Sequence, residues 1–382
     1  MAENKEKKVL NVPNLRFPEF EGEWEESTIG KQFELYSGNT PTRINKELFN
    51  GTINWISSGE LKEHYIYSTK ERISQEAANN LKLLSVGTFV IAIYGLEAEG
   101  VRGTGSITQE PSTISQACMA FTPKGEITNE FLYSWYKKHG NVIGVKYAQG
   151  TKQQNLSYDI LEKFKISYPN VMEQDKLNLF FSLIDKRIST QNKIIDKLQS
   201  LIKGLRVHLT QKTDGYIVYL SEIAKIYQPQ TISLSEFTEE GYLVYGANGI
   251  IGKYREYNHR TEQICITCRG NTCGMVNYTK PKSWITGNAM IVNTDDYQDK
   301  ICKRYLYHYL STYNFNSIIS GSGQPQIVRS PLEKLKVKLP AILKQKQIAT
   351  FLDKLQNQIE INNNILHLYL QQKQYLFRQM FI

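Results

Sequence analysis

Long apolar runs are missing from the 382-residue sequence. No stretch approaches the ~18 apolar residues that a membrane-spanning helix requires. The first residues, Met1 to Leu10, are rich in Lys and Glu and contain no apolar core of a secretory signal. The sequence therefore predicts neither a membrane anchor nor a signal peptide, and we expect the protein in the cytoplasm.

Cysteine is also scarce, and the five residues make an odd number spread over a long chain. This distribution argues against a disulfide scaffold. Cys265, Cys268 and Cys273 are close enough in sequence to suggest a zinc or iron–sulfur site, but a fourth ligand at a suitable spacing is missing. The first two fall in a predicted strand, where odd and even positions point to opposite faces. We therefore favour free thiols over a metal site.

Catalytic motifs are lacking as well. The six histidines are scattered, and we find no Asn-Pro-Pro-Tyr motif, Gly-x-Gly cofactor loop or His/carboxylate cluster. Residues 247–253 nearly spell a phosphate-binding P-loop, but Tyr254 stands where a magnesium-binding hydroxyl should follow. We expect no catalytic residues and no cofactor bound by this chain, so that chemistry is done by other proteins.

What the chain has in excess is positive charge, with 46 Lys and Arg against 37 Asp and Glu. This balance favours an anionic partner. Nucleic acid is preferred over a membrane surface because no basic amphipathic helix presents a large apolar face. The length suits two to three domains, and the apolar content of 41% is ordinary for a globular protein.

Two long segments have the heptad spacing of a coiled coil. Residues 172–212 place apolar residues three or four positions apart, with Gln191 filling the single gap. Adding 171 to each number gives a matching series in residues 343–382, where Asn362 takes the place of Gln191. The match extends upstream at the same offset. The chain is therefore predicted to contain two copies of one unit, each a variable region followed by a helix.

The order of the segments predicts that the two helices are antiparallel. The second variable region follows one helix and precedes the other directly, so parallel helices would need a long linker that the chain lacks. A helix of roughly 40 residues is about 60 Å long and would act as a ruler between two end domains. Gln191 and Asn362 would then contact each other in the seam, where a buried amide pair lowers stability but fixes the register of the two helices. The alternative is that both residues lie at the solvated edge of the seam.

The predicted fold class is α+β, with two α+β domains separated by two long antiparallel coiled-coil helices in a pseudo-twofold internal repeat. The predicted segments are an N-terminal arm over 1–23 laid over a neighbour, a first domain over 24–168, a spacer helix over 169–213, a second domain over 214–340 and a second spacer helix over 341–382. Within the domains we predict strands at Phe89–Tyr94, Ala117–Phe121, Ile264–Cys268 and Ala289–Val292, and helices at Glu130–Lys138 and Lys300–Tyr313.

Glycine-rich segments at 100–106, 245–254 and 269–274 are expected to be loops that approach a nucleic acid closely. Arg, Lys, Asn and Gln supply the donors that pair with base edges or hold phosphates. The candidate DNA-binding residues are Arg102, Lys152 and Gln153 in the first domain, and Lys253, Arg269, Asn271 and Gln324 in the second. For each of them an ordinary surface turn is the alternative. Gln191 and Asn362 are the candidates for subunit interaction.

Several motifs together resemble the specificity subunit of a type I restriction-modification system. Residues 15–24, Leu-Arg-Phe-Pro-Glu-Phe-Glu-Gly-Glu-Trp, resemble the usual opening of that family. The segments that resemble its two target-recognition domains are 55–59, 91–95 and 116–118 in the first, and 245–249, 272–274 and 284–288 in the second. Segments 150–156 and 321–327 resemble the loop that recurs before each conserved helix.

The resemblance implies a noncatalytic subunit that recognises a two-part DNA target, with one part read by each domain and an unread spacer between them. It also implies two methylation subunits, which use S-adenosylmethionine, and restriction subunits that use ATP and magnesium, so these cofactors are expected on partner chains. The alternative from another class is a coiled-coil scaffold whose end domains bind proteins.

Overall fold

The computed structural model describes residues 10–98, 100–150, 154–247, 249–321 and 323–382. The chain divides into two compact units. The first unit consists of the described residues of Met1–Ser189 together with His367–Ile382, and the second is Thr190–Leu366. Each unit combines one α+β domain with a part of each of two long helices.

The first domain consists of short strands and helices between an N-terminal arm and the first long helix. Its elements are β1 (Glu25–Thr28), α1 (Ile29–Gln32), β2 (Phe33–Ser37), β3 (Ile53–Ile56), β4 (Tyr65–Ile66), β5 (Arg72–Ile73), α2 (Gln75–Ala78), β6 (Phe89–Ala92), β7 (Gly105–Thr108), β8 (Ser112–Ile114), β9 (Cys118–Pro123), α3 (Asn129–Tyr147), α4 (Tyr158–Leu161) and β10 (Lys165–Tyr168). The strands form sheets in the orders β2-β9-β6-β7-β4, β5-β3-β8 and β1-β10.

The second domain lies between the two long helices, α5 and α8. The elements from α5 onward are α5 (Val171–Gln211), β11 (Tyr216–Tyr219), β12 (Lys225–Tyr227), β13 (Tyr242–Gly246), β14 (Gly249–Tyr254), β15 (Ile264–Thr267), β16 (Val276–Tyr278), β17 (Trp284–Ile285), β18 (Ala289–Asn293), α6 (Lys303–Leu310), α7 (Arg329–Glu333), β19 (Lys336–Leu339) and α8 (Ile342–Met380). The sheet orders are β12-β18-β15-β16, β14-β13-β17 and β11-β19.

The two domains share one topology, which confirms the predicted internal repeat. The order β12-β18-β15-β16 reproduces β2-β9-β6-β7. In the three-stranded sheets, β3 is antiparallel to β5 and parallel to β8, just as β13 is antiparallel to β14 and parallel to β17. Strand β6 is buried at every position, which explains why its sequence is continuously apolar rather than alternating.

The helix predicted at Glu130–Lys138 is longer than expected and continues as α3 to Tyr147. Gly140 and Gly144, which lower helix propensity, lie in the added part. A Cβ atom on Gly144 would lie 2.5 Å from Cγ of Arg102. The position therefore requires glycine for close packing, and that packing stabilises the helix where propensity does not. By contrast, α6 is shorter than the predicted Lys300–Tyr313.

One glutamine attaches each long helix to its own domain in the same way. Gln174 Nε2 donates to Pro169 O at 2.9 Å and to Glu126 O at 3.1 Å. Gln345, which lies 171 positions later, donates to the carbonyls of Pro340 and Lys300 at 2.8 and 3.1 Å. Both glutamines are fully buried. The two helices therefore begin in the same register relative to their domains.

The helices α5 and α8 pack antiparallel within each unit, as predicted. In the first unit Phe181 stacks on Phe377 with ring centroids 4.1 Å apart, and Asp185 forms an ion pair with Lys373. In the second unit Arg206 Nη2 donates to Gln356 Oε1 at 2.9 Å. Contacts therefore move back along α8 as they advance along α5. Apolar seam residues such as Phe181 and Leu352 are buried.

Gln191 and Asn362 form a polar layer in the seam of the second unit. Gln191 Nε2 donates to Asn362 Oδ1 at 2.7 Å and to its backbone oxygen at 3.0 Å, and Asn362 Nδ2 donates to Gln358 O at 2.7 Å. Gln191 is only 8% exposed. The two amides contact each other, with Gln191 buried in the seam and Asn362 partly exposed.

A polar network connects α6 with both long helices in the second unit. Asp353 accepts hydrogen bonds from Nε of Arg304 at 3.0 Å and from Nε2 of the fully buried His308 at 2.8 Å. Arg206 Nε donates to Nδ1 of His308 at 3.1 Å, so the imidazole is the neutral Nε2-protonated tautomer. Burial, the largest influence, lowers the pKa of His308, in agreement with this tautomer.

The charge of Asp353 is maintained by these partners. Burial by itself would raise the pKa of Asp353, but hydrogen bonds from His308 and Arg304 and the charge of Arg304 outweigh it and lower the pKa from 3.8 to about 2. A carboxylate with a lowered pKa stabilises the folded state above its unfolded pKa, and this stabilisation is lost as the pH falls through the folded pKa.

Among the described residues no helix is both long and apolar enough to span a bilayer.

We expect Gln191→Leu to reduce the free energy of unfolding by about 1–3 kcal/mol, because Asn362 Oδ1 loses its hydrogen-bond donor in the seam. The double variant Q191L/N362L should recover that loss, since no unpaired amide remains. Urea unfolding followed by circular dichroism measures both. Leu at the neighbouring exposed Asn192 is the control and should have little effect. A double variant as unstable as the single one would contradict this prediction.

Asp353→Asn should destabilise the protein at about pH 6 and flatten the loss of stability between about pH 4 and pH 2, because that loss reflects protonation of Asp353. Urea midpoints measured across this pH range test the expectation. The matched control is Asp296→Asn, which removes an exposed ion pair with Lys225 and should change little. An acid-induced loss as large in the Asp353 variant as in the unmodified chain would show that other groups cause it.

Candidate nucleic-acid interface

In the second domain three of the four candidate residues lie on two adjacent loops, the described residues of 268–275 and 320–327, which we call the second loop pair. Gly270 N donates to Pro325 O at 3.0 Å, and Ile327 N donates to Cys268 O at 3.0 Å. These two backbone hydrogen bonds join the loops into one surface.

The first domain contains the same arrangement, built from the described residues of 93–104 and 149–156, which we call the first loop pair. Leu96 N donates to Gln154 O at 3.1 Å, and Leu156 N donates to Ile93 O at 2.9 Å. Gln154 and Leu156 are the counterparts of Pro325 and Ile327 at the offset of 171. The fold therefore positions an equivalent loop on each domain.

Within each loop pair, the loop nearer the C-terminus is closed by the same backbone hydrogen bonds. Gln149 and Asn155 exchange two backbone hydrogen bonds of 2.8 Å, and their counterparts Ser320 and Gln326 exchange bonds of 2.9 and 2.8 Å. Gly321 has a φ of +93°, and its turn brings Gln324 O close to the glycine, so a larger residue would be strained there. The tip residue Gln324 is exposed.

The structure brings Arg269, Asn271 and Gln324 together on the second loop pair. All three side chains are exposed, and Arg269 forms a backbone bridge with Gln326. A cationic guanidinium beside neutral amides can pair with phosphates or with base edges. No carboxylate in the described part of the chain forms an ion pair with Arg269, so its charge is available to a ligand.

Arg102 belongs to the first loop pair but is only partly exposed. Its Nη2 donates to Gln154 Oε1 at 2.8 Å, its side chain packs on Gly144, and its Nε is buried without a hydrogen-bond partner. This arginine connects the loop pair to α3 as well as presenting charge beside it. Lys152 and Gln153, the other candidates of this domain, lie outside the described residues.

Lys253 lies apart from the second loop pair, on β14. The segment 245–254, expected to be a flexible Gly-rich loop, instead contributes to a hairpin: β13 pairs with β14 from Tyr242–Tyr254 to Gly246–Gly249. The missed signal was Asn248-Gly249 between two apolar runs, a dipeptide typical of tight hairpins. Besides Lys253, the hairpin exposes Ile250 and Ile251 at 54% and 45%, a feature that sequence reasoning did not identify.

A second feature that the sequence did not reveal is a groove of about 490 Å³ in the first domain beside β4. Lys62, Tyr67 and Lys70 are among its lining residues, and Tyr67 is 64% exposed. Glu60 and Glu63 also line the groove and offset the two lysines, so it is not a basic site. Its lining residues all lie between positions 59 and 70, where acidic and basic residues are mixed and form no basic motif.

The cysteines are free thiols, and Cys265 and Cys268 are buried. Burial raises the pKa of Cys265 to about 12, which keeps its thiol protonated. Within the described ranges no group of three His, Cys, Asp or Glu side chains could hold a metal ion.

Two domains of one topology, each with the same pair of joined loops, define a recognition protein built from a repeated unit. A family model described as "Type I restriction modification DNA specificity domain" matches residues 21–200 and 216–368. The chain therefore belongs to the family of type I restriction-modification DNA specificity proteins. Members of this family recognise DNA and are noncatalytic, so the sequence-based identification is confirmed.

Two specificity subunits of type I restriction enzymes align with most of the chain. The specificity subunit of the type I restriction enzyme EcoprrI from Escherichia coli is 26% identical over 360 residues, which span 85% of this chain and 86% of the relative. The MjaVIII specificity subunit of Methanocaldococcus jannaschii is 24% identical over 409 residues, spanning 94% and 91%.

Solved structures show the same fold. The crystal structure of the type I restriction-modification S subunit from M. genitalium matches with a TM-score of 0.64 and 17% identity, and the match covers 97% of this chain and 99% of that one. A chain from a study of type I R-M complex assembly matches with a TM-score of 0.62 and 15% identity, covering 93% and 96%.

Proposed function

We propose that each domain reads one part of a two-part DNA target, and that the chain positions two methylation subunits and the restriction subunits on that target. The observation that carries the proposal is the repeated loop pair, in which the same backbone hydrogen bonds join a loop bearing Arg102 or Arg269 to an amide-rich loop. The two arginines occupy different positions, because the residue bridged to Asn155 at the place of Arg269 is Tyr94. A repeated binding surface suits a ligand that offers the same chemistry twice, as a duplex does through its backbone.

The repeat also separates two kinds of DNA contact. Domains that read different bases need different reading residues, whereas the phosphate backbone is the same at both half-sites. We therefore assign Gln324 of the second loop pair, which matches Gln153 at the offset of 171, to backbone contacts. Arg269, whose counterpart is Tyr94, differs between the domains. The β13–β14 hairpin has no counterpart of equal length, because β5 is only Arg72–Ile73. A two-stranded ribbon fits the major groove, so we assign base reading in this domain to the hairpin with Lys253.

The long helices provide the surface for the methylation subunits. Leu368 and Tyr375 on α8 in the first unit are 61% and 60% exposed, and Ile194 and Leu201 on α5 in the second are 41% and 50% exposed. Each pair is seven residues apart and therefore lies on one side of its helix. The C-terminal parts of α8 and α5 are repeat equivalents, but the exposed pairs are not, since Leu368 and Tyr375 correspond to Lys197 and Gly204. The presence of an exposed apolar pair on each part favours one methylation subunit per unit.

The cofactors of the complex, S-adenosylmethionine, ATP and magnesium, are assigned to the partner subunits. A role in directing modification of the cell's own DNA further suggests that the chain works in the cytoplasm.

Lys253→Ala should relax recognition of one half-site only, by about 1–3 kcal/mol of discrimination, because a groove-reading donor is lost while the other domain is intact. The measurement is mapping of methylated adenines after coexpression with a cognate methylation subunit. Lys334→Ala, at another exposed lysine of the second domain, is the control and should leave both half-sites unchanged. Gel shifts over a salt series test the proposal that the chain binds DNA, since a DNA-binding protein loses affinity steeply as salt rises. Salt-independent binding would contradict it.

The variants L368D/Y375D and I194D/L201D should each remove one methylation subunit from the complex, because a charge on an apolar contact is costly to bury. Native mass spectrometry of the coexpressed complex should show one methylation subunit instead of two for each variant. Leu234→Asp, at a position 78% exposed in the second domain, is the control. Retention of both subunits by both variants would place the docking surface elsewhere.

A further inference from the structure

The N-terminal arm of the first unit covers the first turns of α5. Arg16 forms a bidentate ion pair of 2.8 and 2.7 Å with Glu173, which is 1% exposed. The ring of Phe17 packs edge-on against Phe180 with centroids 5.6 Å apart. Lys176 lies 4.7 Å from the centroid of Phe17.

The arm also covers this surface with acidic and aromatic side chains beyond Phe17. Glu19 forms an ion pair with Lys176, and Phe20 packs against Phe17 with centroids 6.5 Å apart. The segment Phe17-Pro18-Glu19-Phe20 therefore supplies two aromatic rings and one carboxylate to the helix face.

The equivalent face of α8 in the second unit is open. Adding 171 to the residues that the arm contacts gives Lys344, Gln347 and Phe351. All three are exposed, and Phe351 is exposed by 47%. The positions are comparable because Gln174 and Gln345 set both helices in one register. A groove of about 440 Å³ is present there, lined by Leu343, Lys346, Gln347, Thr350, Phe351 and Lys354.

We propose that this groove of α8 binds an acidic, aromatic peptide segment of a partner protein, in the way that the arm binds the first unit. Phe351, 47% exposed, provides the apolar floor that an aromatic side chain would cover, as Phe17 packs on its equivalent Phe180. Leu343 extends this floor at a position whose equivalent, Met172, the arm leaves 76% exposed. The proposal goes beyond DNA reading and does not depend on it.

The charge of the groove identifies the occupant more closely. Glu173 and Asp175 of the first unit are replaced by Lys344 and Lys346 in the second, and Lys354 adds a further cation. An occupant with carboxylates near these lysines gains from complementary charge. The arm of a second copy of this chain is disfavoured, because its Arg16 would face Lys344 instead of Glu173.

A duplex would also be attracted by the three lysines, but it has no use for the apolar floor. Contacts with a duplex backbone are charged and polar. The peptide is therefore the favoured occupant, and competition by DNA is an outcome of the test.

The probe is a fluorescein-labelled peptide with the sequence of residues 17–23, Phe-Pro-Glu-Phe-Glu-Gly-Glu, titrated with the full chain in low salt. The tethered arm keeps the probe from the first unit, since a tethered segment has a high effective concentration. We expect saturable binding by fluorescence anisotropy, weakened at least about tenfold by Phe351→Ser or Lys346→Glu, because apolar and charged contacts are both lost.

Matched controls separate the groove from general surface effects. Ile361→Ser changes another exposed apolar residue of α8, and Lys203→Glu reverses another exposed lysine of the second unit; neither should alter binding. The variant K344E/K346E should lose the acidic probe and gain a probe in which Glu19, Glu21 and Glu23 are replaced by lysine. All these positions are exposed, so the fold should be retained.

Three results would overturn the proposal. The first is no saturable binding, the second is binding unaffected by F351S and K346E, and the third is displacement of the probe by random duplex DNA. None of them bears on the DNA-reading function, which the Lys253 variant and the salt series test separately.

Discussion

Each long helix is fixed to its own domain by one buried glutamine, and the rest of the organisation depends on this attachment. Gln174 and Gln345 use the same amide to bond the proline before the helix and the segment before α3 or α6. Gln345 Oε1 also accepts from Cys302 N at 2.8 Å, as Gln174 Oε1 does from Thr128 N at 2.9 Å. Each such buried bond contributes roughly 0.5–1.5 kcal/mol, and an unpaired amide would cost more. Helix register is therefore set locally and identically in the two copies.

Much of this organisation could be predicted from the sequence, because periodicity and repetition are properties of the chain itself. The heptad spacing and the offset of 171 identified both long helices, and chain order identified their antiparallel packing. The strands at Phe89 and Ile264 were found because they are buried at every position. Each of these predictions rests on a pattern within a short or regularly repeated segment.

The candidate site was predicted less completely, because it depends on contacts between distant segments. Arg102 was chosen as a free donor, yet its guanidinium is bonded to Gln154 and its side chain packs on Gly144. The hairpin around Lys253 was taken for a loop because its glycines outweighed the apolar runs on either side. The open groove at Phe351 becomes visible only when its partly covered equivalent, Phe180, is compared with it.

The two copies of the repeat therefore share the contacts that hold their loops and helices in place, and they differ in the side chains exposed on those elements. The loop pairs and glutamine attachments recur, whereas the β13–β14 hairpin and the lysines of the α8 groove do not. Such a division lets a reading surface change without loss of the fold, because residues outside shared contacts affect stability almost independently. It also lets discrimination by the two domains combine. When two separate readers each reject a wrong base by about 1–3 kcal/mol, their free energies add and their selectivities multiply. One duplicated scaffold can in this way recognise a long target with two modest binding surfaces.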